Sequence, residues 1–360
     1  MKTTTTAAPL LTADVSFYVG TYTKTGLSEG IYHGTLNSQT GDARILGLAA
    51  KATNPSFVAL HPTRKLLYSV LDEGGGAVGA FVIEADGTLR KLNSEPTKDS
   101  GNCHVCVDAS GRNVFAASYG SGSIACLPIK EDGSLAPMSA SIKHVGSGPD
   151  LARQKEPHAH AIYDNGAFVY VCDLGTDDIF IYKFDAENGT LIPSDPKSGR
   201  VHPGSGPRHL AFHPKGGFAF VNGEMKSDVT SFVHDAVNGV LTPIHTLSTL
   251  PEGTKLESSS SAEIHCHPNG KFVYISNRGH DSIAVFSIAA DGKLTLVEIA
   301  DARVKVPRGF DISPDGQWLI AAGQASNDLA LHAVDAETGR LEFKAIIGEV
   351  GAPVNVEFVR

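Results

Sequence analysis

A unit of about 50 residues recurs along the chain, and this repeat constrains the fold more than any other feature of the sequence. Each copy reads as a short apolar strand, a turn of the type HP-x-G, a second strand and a loop rich in Gly, Asn or Asp. A third strand, a D-G-x-L turn and a fourth strand complete it. Six copies have their first turn at His61, Asp108, Tyr163, His213, His267 and Ser313. A seventh copy, FYVGTYT and the residues after it, lacks the first strand.

Four short strands in a unit of this length are typical of a propeller blade. A single blade cannot bury both of its faces, and a closed ring gives every blade two neighbours. The sequence therefore predicts an all-β, seven-bladed β-propeller with four antiparallel strands per blade. The C-terminal segment GAPVNVEFVR aligns with the first strands of other copies, so we expect Pro353–Val359 to pair beside Phe17–Gly20 and close the ring. We expect one propeller domain over residues 15–360 and an N-terminal tail over residues 1–14.

Composition excludes several classes of protein. The chain has 360 residues, of which 41% are hydrophobic, and it has no run of the roughly 18 apolar residues that a membrane-spanning helix needs. Its formal charge is -9 and it has no basic run, which argues against binding to nucleic acid or to an anionic membrane. The first residues lack the apolar core of a signal peptide, so a cytoplasmic location is expected. Nothing in the sequence indicates the oligomeric state.

The five cysteines include one C-x-x-C pair, Cys103 and Cys106. The segment around them reads as a strand, in which residues three apart point to opposite faces. No second pair is present to complete a zinc site. We therefore expect reduced thiols and predict no metal and no cofactor.

Chain direction alternates from strand to strand, so the start of each inner strand and the loop between strands two and three lie on one face of the disc. The other face carries turn residues such as Asn269-Gly270 and Asp315-Gly316. On the first face we expect four catalytic candidates, His158, Arg208, Glu224 and Arg278. Substrate-binding candidates expected beside them are His160, His104, His209, Arg308, Asn355 and Tyr22. Because His158 and Arg208 each follow a Pro, the repeat places them at equivalent positions.

Each candidate also has a purely structural interpretation. A histidine at a strand end is often fully hydrogen-bonded within the fold, and Arg208 with Glu224 would make an ordinary salt bridge. Arg278 could be a solvated loop charge. His158 and His160 lie two apart on one strand and share a face, so with a nearby Glu they could bind a metal, although no further ligand is fixed by spacing. The convergence of all these side chains on one face favours a functional site.

The motifs YVGTYT, NPSFVALHP, ASYGSGSI, EPHAH, GPRHLAFHP, VNGE, SNRG and PRGFDISPDG together resemble the seven-bladed propeller lactonases. That family includes propeller-type 6-phosphogluconolactonases and is related to fungal carboxy-muconate cyclase. The resemblance implies hydrolysis of a sugar lactone, in particular 6-phospho-D-glucono-1,5-lactone in the pentose phosphate pathway, without a metal. It also implies His158, Arg208, Glu224 and, less directly, Arg278 as the site.

Lactone hydrolysis needs a base for water, donors for the tetrahedral oxyanion and an anchor for the substrate's anionic group. We expect Arg208 to stabilise the oxyanion, and Arg278 to hold the anion with help from Arg308 and His160. The base is left open among Glu224, His158 and His160. The alternatives are a muconate-type cyclase that uses the same groups, and a non-catalytic propeller that binds a peptide at its mouth.

Overall fold

The computed structural model describes residues 14–360, which form seven four-stranded antiparallel sheets arranged as blades around a central channel. Blade 1 contains β1 (Asp14–Thr21), β2 (Gly30–Asn37), β3 (Ala43–Lys51) and the last strand of the chain, β28 (Pro353–Phe358). Blade 2 contains β4 (Val58–Leu60), β5 (Leu66–Leu71), β6 (Ala77–Ile83) and β7 (Leu89–Pro96), and blade 3 contains β8 (Asn102–Val107), β9 (Asn113–Ser118), β10 (Ser123–Pro128) and β11 (Ala140–Lys143).

The remaining four blades follow in chain order. Blade 4 contains β12 (Ala159–Asn165), β13 (Phe168–Asp173), β14 (Asp178–Asp185) and β15 (Thr190–Arg200), and blade 5 contains β16 (Pro207–Phe212), β17 (Phe218–Gly223), β18 (Asp228–Asp235) and β19 (Val240–Ser248). Blade 6 contains β20 (Ser260–Cys266), β21 (Phe272–Arg278), β22 (Ser282–Ile288) and β23 (Leu294–Asp301). Blade 7 contains β24 (Pro307–Ile312), β25 (Trp318–Gly323), β26 (Asp328–Val334) and β27 (Leu341–Glu349). The predicted seven-bladed propeller is confirmed.

The ring closes in blade 1, as the repeat predicted. Strand β28 pairs antiparallel with β1, and Phe17 lies opposite Phe358 in the register. The rings of these two residues meet edge to face at 5.6 Å. Strand β1 begins at Asp14, one residue before the predicted start of the domain. The rest of the predicted tail falls on residues 1–13, outside the part of the chain that the structure describes.

Apolar side chains fill the spaces between neighbouring blades. Phe17 and Phe358 of blade 1, for example, pack in one cluster with Ile320 and Leu331 of blade 7. Burying a side chain of this size contributes roughly 1.5–3 kcal/mol. Each of the seven apolar clusters in the described chain joins two neighbouring blades. Over residues 14–360, no helix has both the length and the apolar character needed to cross a membrane.

The HP-x-G and D-G-x-L turns lie on one face of the disc, called the far face here, and they join the blades to one another. The hydroxyl of Tyr68 in blade 2 donates to the carbonyl of Gly133 in the D-G-x-L turn of blade 3, at 3.0 Å. Nε2 of His61, the His of an HP-x-G turn, donates to the carbonyl of Gly111 in the next blade, also at 3.0 Å. Nδ1 of His61 accepts backbone N–H groups of its own turn, so Nε2 carries the proton. The repeated turn motifs thus have a structural role.

Candidate active site

In six of the seven blades a β-bulge near the start of the inner strand re-aims one or two side chains. Three of them, Cys103, His160 and Arg308, line a cavity at the mouth of the channel opposite the HP-x-G turns, called the near mouth here. The register between the first two strands skips Arg208 in blade 5 and Arg308 in blade 7. In the same way it skips Cys103 in blade 3, His160 in blade 4, Ala262 and Glu263 in blade 6, and Val354 in blade 1. A bulge leaves its extra residue unpaired and re-aims that side chain, and bulges are frequent beside active sites.

This register corrects the alignment of blade 4. His160, and not His158, occupies the position that Arg208 and Arg308 hold in their blades. His158 precedes β12, and its ring stacks on Tyr119 at 4.4 Å. The Pro that precedes His158 suggested the other alignment. In blade 5 the inner strand starts at the corresponding Pro, whereas in blade 4 it starts two residues after the Pro.

The mouth of the channel holds a cavity of about 700 Å³. Among the described residues its charged lining consists of Lys24, Asp72, Arg153, Glu224, Arg278 and Arg308, and Tyr22, Cys103, Tyr119 and His160 also line it. Cations therefore outnumber carboxylates in the cavity of a chain whose overall formal charge is -9. Lys24 is paired with Asp72 at 2.6 Å, so the excess positive charge lies on the arginines. Such a cavity favours an anionic ligand.

Three arginines converge on Glu224, which follows β17. Nη2 of Arg153 donates to Oε1 of Glu224 at 2.8 Å. Oε2 of Glu224 lies 3.2 Å from Nε of Arg208 and 3.0 Å from Nη2 of Arg278. Arg208 and Glu224 are almost completely buried, with exposed fractions of 3% and 7%. The structure thus brings together three of the four predicted catalytic residues.

The arginine cluster determines the charge state of Glu224. Burial alone would raise the pKa of this carboxyl, but Arg278, Arg208 and Arg153 together lower it to about 2. Burial, together with repulsion from Arg208 and Arg308, lowers the pKa of Arg278 to about 10. All of these groups stay charged at neutral pH. With both oxygens engaged and a low pKa, Glu224 is a poor proton acceptor and instead aligns the guanidinium groups.

Arg153 was not among the residues predicted from the sequence. It lies in the connection between β11 and β12, residues 144–158, which is the longest connection between two blades in the described chain. Gln154, fully buried, fixes this loop by donating to Asp177 at 2.8 Å. Nη2 of Arg153 also donates to the hydroxyl of Tyr119 at 3.0 Å. The unusual length of this loop on the near face was the signal that could have identified it.

His160 is the imidazole that borders the cavity. Its exposed fraction is 4%, and Nε2 lies 3.9 Å from Oε2 of Glu224. Nδ1 is buried and has no hydrogen-bond partner within residues 14–360. Burial first, and then repulsion from Arg208, lower the pKa of His160 well below its ordinary value. The ring is therefore neutral at physiological pH.

His158 packs against Tyr119, which lines the cavity. Its Nδ1 lies 2.8 Å from the carbonyl oxygen of Tyr119, which can only accept, so Nδ1 carries the proton. Its ring stacks on that of Tyr119 with an interplanar angle of 12°. His158 is absent from the cavity lining. The structure therefore places this predicted catalytic residue one layer away, against a tyrosine that does line the cavity.

Two of the predicted substrate-binding residues, Arg308 and Tyr22, face each other in the cavity. The guanidinium of Arg308 lies 5.5 Å from the centre of the Tyr22 ring. Within residues 14–360, Arg308 has no carboxylate within salt-bridge distance. Of the arginines at this mouth, Arg308 is therefore the guanidinium that remains available to bind an anion.

Three other predicted substrate-binding residues lie away from the cavity. Asn355 is buried between blades 1 and 2, where its Oδ1 accepts the backbone N–H of Val58 at 3.0 Å. His104 packs on Phe57 at 4.3 Å and lines a different cavity, of about 530 Å³, at the opposite end of the channel. His209 lies between the two cavities, 5.4 Å from His104. Each of them follows or opposes a bulge, and the alternation of the strand turns it away from the mouth.

The two cysteines of the C-x-x-C pair point in opposite directions, as predicted. Cys103 lines the near cavity and Cys106 the far one, and both thiols are free. Burial raises the pKa of each to about 12, so neither is a thiolate at neutral pH. Among residues 14–360, no cluster of three or more His, Cys, Asp or Glu side chains is arranged to hold a metal ion.

The chain matches a family model described as Lactonase, 7-bladed beta-propeller, over residues 16–358. It is 38% identical over 347 residues to a Bacillus subtilis protein named 6-phosphogluconolactonase, an alignment that covers 95% of this chain and 97% of that protein. A protein of the same name from Formosa agariphila is 31% identical, and the alignment covers 90% of this chain and 94% of that protein.

Solved structures show the same architecture. A protein of Bacteroides fragilis superposes with a TM-score of 0.90 at 34% identity, covering 98% of this chain and 100% of that chain. The periplasmic gluconolactonase of Pseudomonas aeruginosa superposes with a TM-score of 0.88 at 29% identity, covering 96% and 99%. The match along almost the whole length confirms the predicted resemblance: this chain belongs to the seven-bladed β-propeller lactonase family.

Proposed function

We propose that this chain hydrolyses 6-phospho-D-glucono-1,5-lactone to 6-phosphogluconate. The observation that carries the proposal is a cavity lined by Arg153, Arg278 and Arg308, in which Glu224 pairs with Arg153, Arg278 and the buried Arg208. The names of the Bacillus subtilis and Formosa agariphila relatives support this substrate. A role in the pentose phosphate pathway and a cytoplasmic location follow from such a substrate and remain predictions.

The arginines would divide the work of binding. Arg308, which has no carboxylate partner among the described residues, is available to hold the phosphate through charge-assisted hydrogen bonds. Arg278 points at the same cavity and would hold the carboxylate that forms at C1. Nη2 of Arg208 is the nitrogen of that side chain without a hydrogen-bond partner within residues 14–360, and we assign it to the oxyanion. Loss of one such donor typically costs about 3 kcal/mol of barrier.

His160 is our choice for the general base. Its ring is neutral, it lines the cavity, and Glu224 lies close enough to stabilise the ring when Nε2 takes up a proton. Glu224 is a weaker choice because three guanidinium groups lower its pKa to about 2. His158 lies behind Tyr119, so we assign it to holding that residue and, through it, Arg153.

The reaction then proceeds in two steps. Nε2 of His160 takes a proton from water while the water oxygen bonds to C1 of the lactone, and the carbonyl oxygen becomes an oxyanion at Arg208. The bond from C1 to the ring oxygen then breaks, and His160 returns the proton to that oxygen, which becomes the 5-hydroxyl. The product is an open-chain carboxylic acid, which releases a proton to solvent and becomes the carboxylate. Water is the sole co-reactant, and no covalent enzyme intermediate is needed.

Unphosphorylated glucono-1,5-lactone is the second candidate substrate. It is supported by the structural likeness to the periplasmic gluconolactonase of Pseudomonas aeruginosa. The lactone-opening steps would be the same, but Arg308 would then lack its phosphate.

The purified chain should be offered 6-phosphoglucono-1,5-lactone, glucono-1,5-lactone and 3-carboxymuconate in separate assays, each compared with the spontaneous rate. We expect the phosphorylated lactone to be hydrolysed with the highest kcat/KM. Consumption of carboxymuconate alone would replace the proposal with a cyclase, and no acceleration of any of the three would reject catalysis by this site.

A further inference from the structure

Below the cavity, a chain of three buried side chains continues from Arg208 down the channel. Nη1 of Arg208 lies 3.2 Å from Nε2 of His209, and Nδ1 of His209 lies 2.6 Å from Oε1 of Glu263. The exposed fractions of the three residues are 3%, 1% and 3%. Glu263 belongs to the bulge of blade 6, so the chain links two neighbouring blades.

The positions of the protons in this chain follow from its chemistry. A guanidinium can only donate, so Nε2 of His209 must accept from Arg208 and carries no proton. The remaining proton of the neutral ring is on Nδ1, which donates to Glu263. Burial and the positive charge of Arg208 lower the pKa of His209 well below its ordinary value, which keeps the ring neutral. Glu263 thereby selects the one tautomer of His209 that can accept a hydrogen bond from Arg208.

The chain fixes the guanidinium of Arg208 from two sides. Nε is held by Glu224 at the cavity, and Nη1 by His209 and the carbonyl of Ala262 beneath it. Nη2 is left without a partner within the described part of the chain. Because the guanidinium is planar and its Nε and Nη1 are both hydrogen-bonded, the group cannot rotate. The direction of Nη2 is therefore set before a substrate arrives.

We propose that Glu263 is a positioning residue, which acts through His209 to orient Arg208 toward the oxyanion of the proposed lactone hydrolysis. Donors that are already oriented reduce the reorganisation needed in the transition state, where a misplaced donor is costly. Replacing both members of such a buried pair with apolar side chains is often close to neutral for stability, whereas removing one partner is destabilising. The double replacement therefore tests positioning with the least effect on folding.

The inference rests on the proposed function and can be tested with three variants. Glu263→Leu removes the acceptor, and we expect kcat on 6-phosphoglucono-1,5-lactone to fall at least tenfold with KM changed less than twofold. Glu263→Gln keeps an oxygen that can accept from Nδ1 and should recover kcat to within about threefold of the parent. His209→Phe keeps the aromatic packing on Phe57 and His104 but breaks the chain, and should match Glu263→Leu.

The double variant Glu263→Leu/His209→Phe provides the sharpest comparison. Because both residues act in one chain, it should lose no more kcat than either single variant. Glu357→Leu is the matched control. It removes an acid that lines the same far cavity as Glu263, and Glu357 makes no hydrogen bond to His209 in the described chain. We expect it to leave kcat within twofold of the parent.

A measurement that does not depend on activity is the ¹⁵N spectrum of the histidines. In the parent, His209 should show a protonated Nδ1 and an unprotonated Nε2, and Glu263→Leu should abolish this pattern. If Glu263→Leu folds and has the parent's kcat, or if Glu263→Gln is as slow as Glu263→Leu, Glu263 does not position Arg208. If the parent hydrolyses neither lactone, the proposed function fails instead, whatever the spectrum shows.

Discussion

His160 and Arg208 occupy the same place in neighbouring blades: each is the extra residue of a β-bulge near the start of an inner strand. The bulge interrupts the strict alternation of the strand, so that His160 lines the near cavity and Arg208 reaches Glu224 in the cavity wall. Arg308 holds this position in blade 7. The site is thus built from one backbone feature repeated around the ring, with a different side chain in each blade.

Substitution of Glu224 tests the centre of the arginine cluster. Glu224→Gln removes the charge that aligns Arg153, Arg208 and Arg278, and leaves these cations to repel one another. We expect kcat/KM to fall at least tenfold. Glu73→Gln is a suitable control, because Glu73 is also a carboxylate on this face but pairs with Lys91. A Glu224→Gln variant with the parent's kcat/KM would contradict the assigned arrangement.

The same variant should alter the response to acid. A carboxyl whose pKa falls from 4.5 to about 2 on folding stabilises the protein fully above pH 4.5 and progressively less as the pH falls toward 2. The contribution is roughly 3 kcal/mol of the free energy of unfolding. Urea denaturation between pH 5 and pH 2 should show a steeper loss of stability for the parent than for Glu224→Gln. Equal slopes would show that Glu224 is not an ionised, paired group.

The two histidines of EPHAH should differ in their effect on catalysis. His160→Gln removes the proposed base and should lower kcat about 100-fold, whereas His158→Gln should lower it less than tenfold. Because the pKa of His160 lies well below 6.5, kcat/KM of the parent should stay constant from pH 8 down to pH 6 and fall only at lower pH. A greater loss of kcat in His158→Gln than in His160→Gln would assign the base to His158.

Arg308 is predicted to select the phosphate. Arg308→Gln should raise KM for 6-phosphoglucono-1,5-lactone at least tenfold and change KM for glucono-1,5-lactone less than threefold. Lys24→Gln is the matched control, since Lys24 lines the same cavity but is paired with Asp72. If Arg308→Gln weakens both lactones equally, Arg308 contributes general binding and does not recognise the phosphate.

Closure of the ring can be tested by truncation. A chain that ends at residue 352 lacks β28, which exposes the edge of β1 and removes Phe358 from its cluster with blade 7. We expect it to be unfolded or aggregated when purified, as judged by circular dichroism and gel filtration. Arg360→Lys, which keeps β28 and a cation beside the buried Asp311, should fold and melt close to the parent. A truncated chain that melts like the parent would mean that the ring does not need this strand.

Most of the fold was predictable because the sequence pattern of a blade is repeated seven times. The pairing of β28 with β1 followed from one copy that lacked a strand and one strand left over at the C-terminus. What the repeat could not give was the exact residue that each bulge extrudes. A shift of two residues in blade 4 exchanged the places of His158 and His160, because a Pro was taken to mark the start of the strand.

The site itself was predicted in part. Glu224, Arg208 and Arg278 converge because each lies near a strand end at the near face. His104 and His209 also lie near strand ends, but they neither line the near cavity nor pair with Glu224, and the sequence pattern does not show how deep in the channel a side chain lies. Arg153 has no counterpart in the other copies, so comparison of repeats could not find it.

A crystal structure of the parent chain with 6-phosphogluconate bound would test the central claim most directly. We predict the product in the near cavity, with its carboxylate at Arg208 and Arg278 near His160 and its phosphate at Arg308. A product molecule bound at the far end of the channel, or bound with no contact to these arginines, would contradict the account.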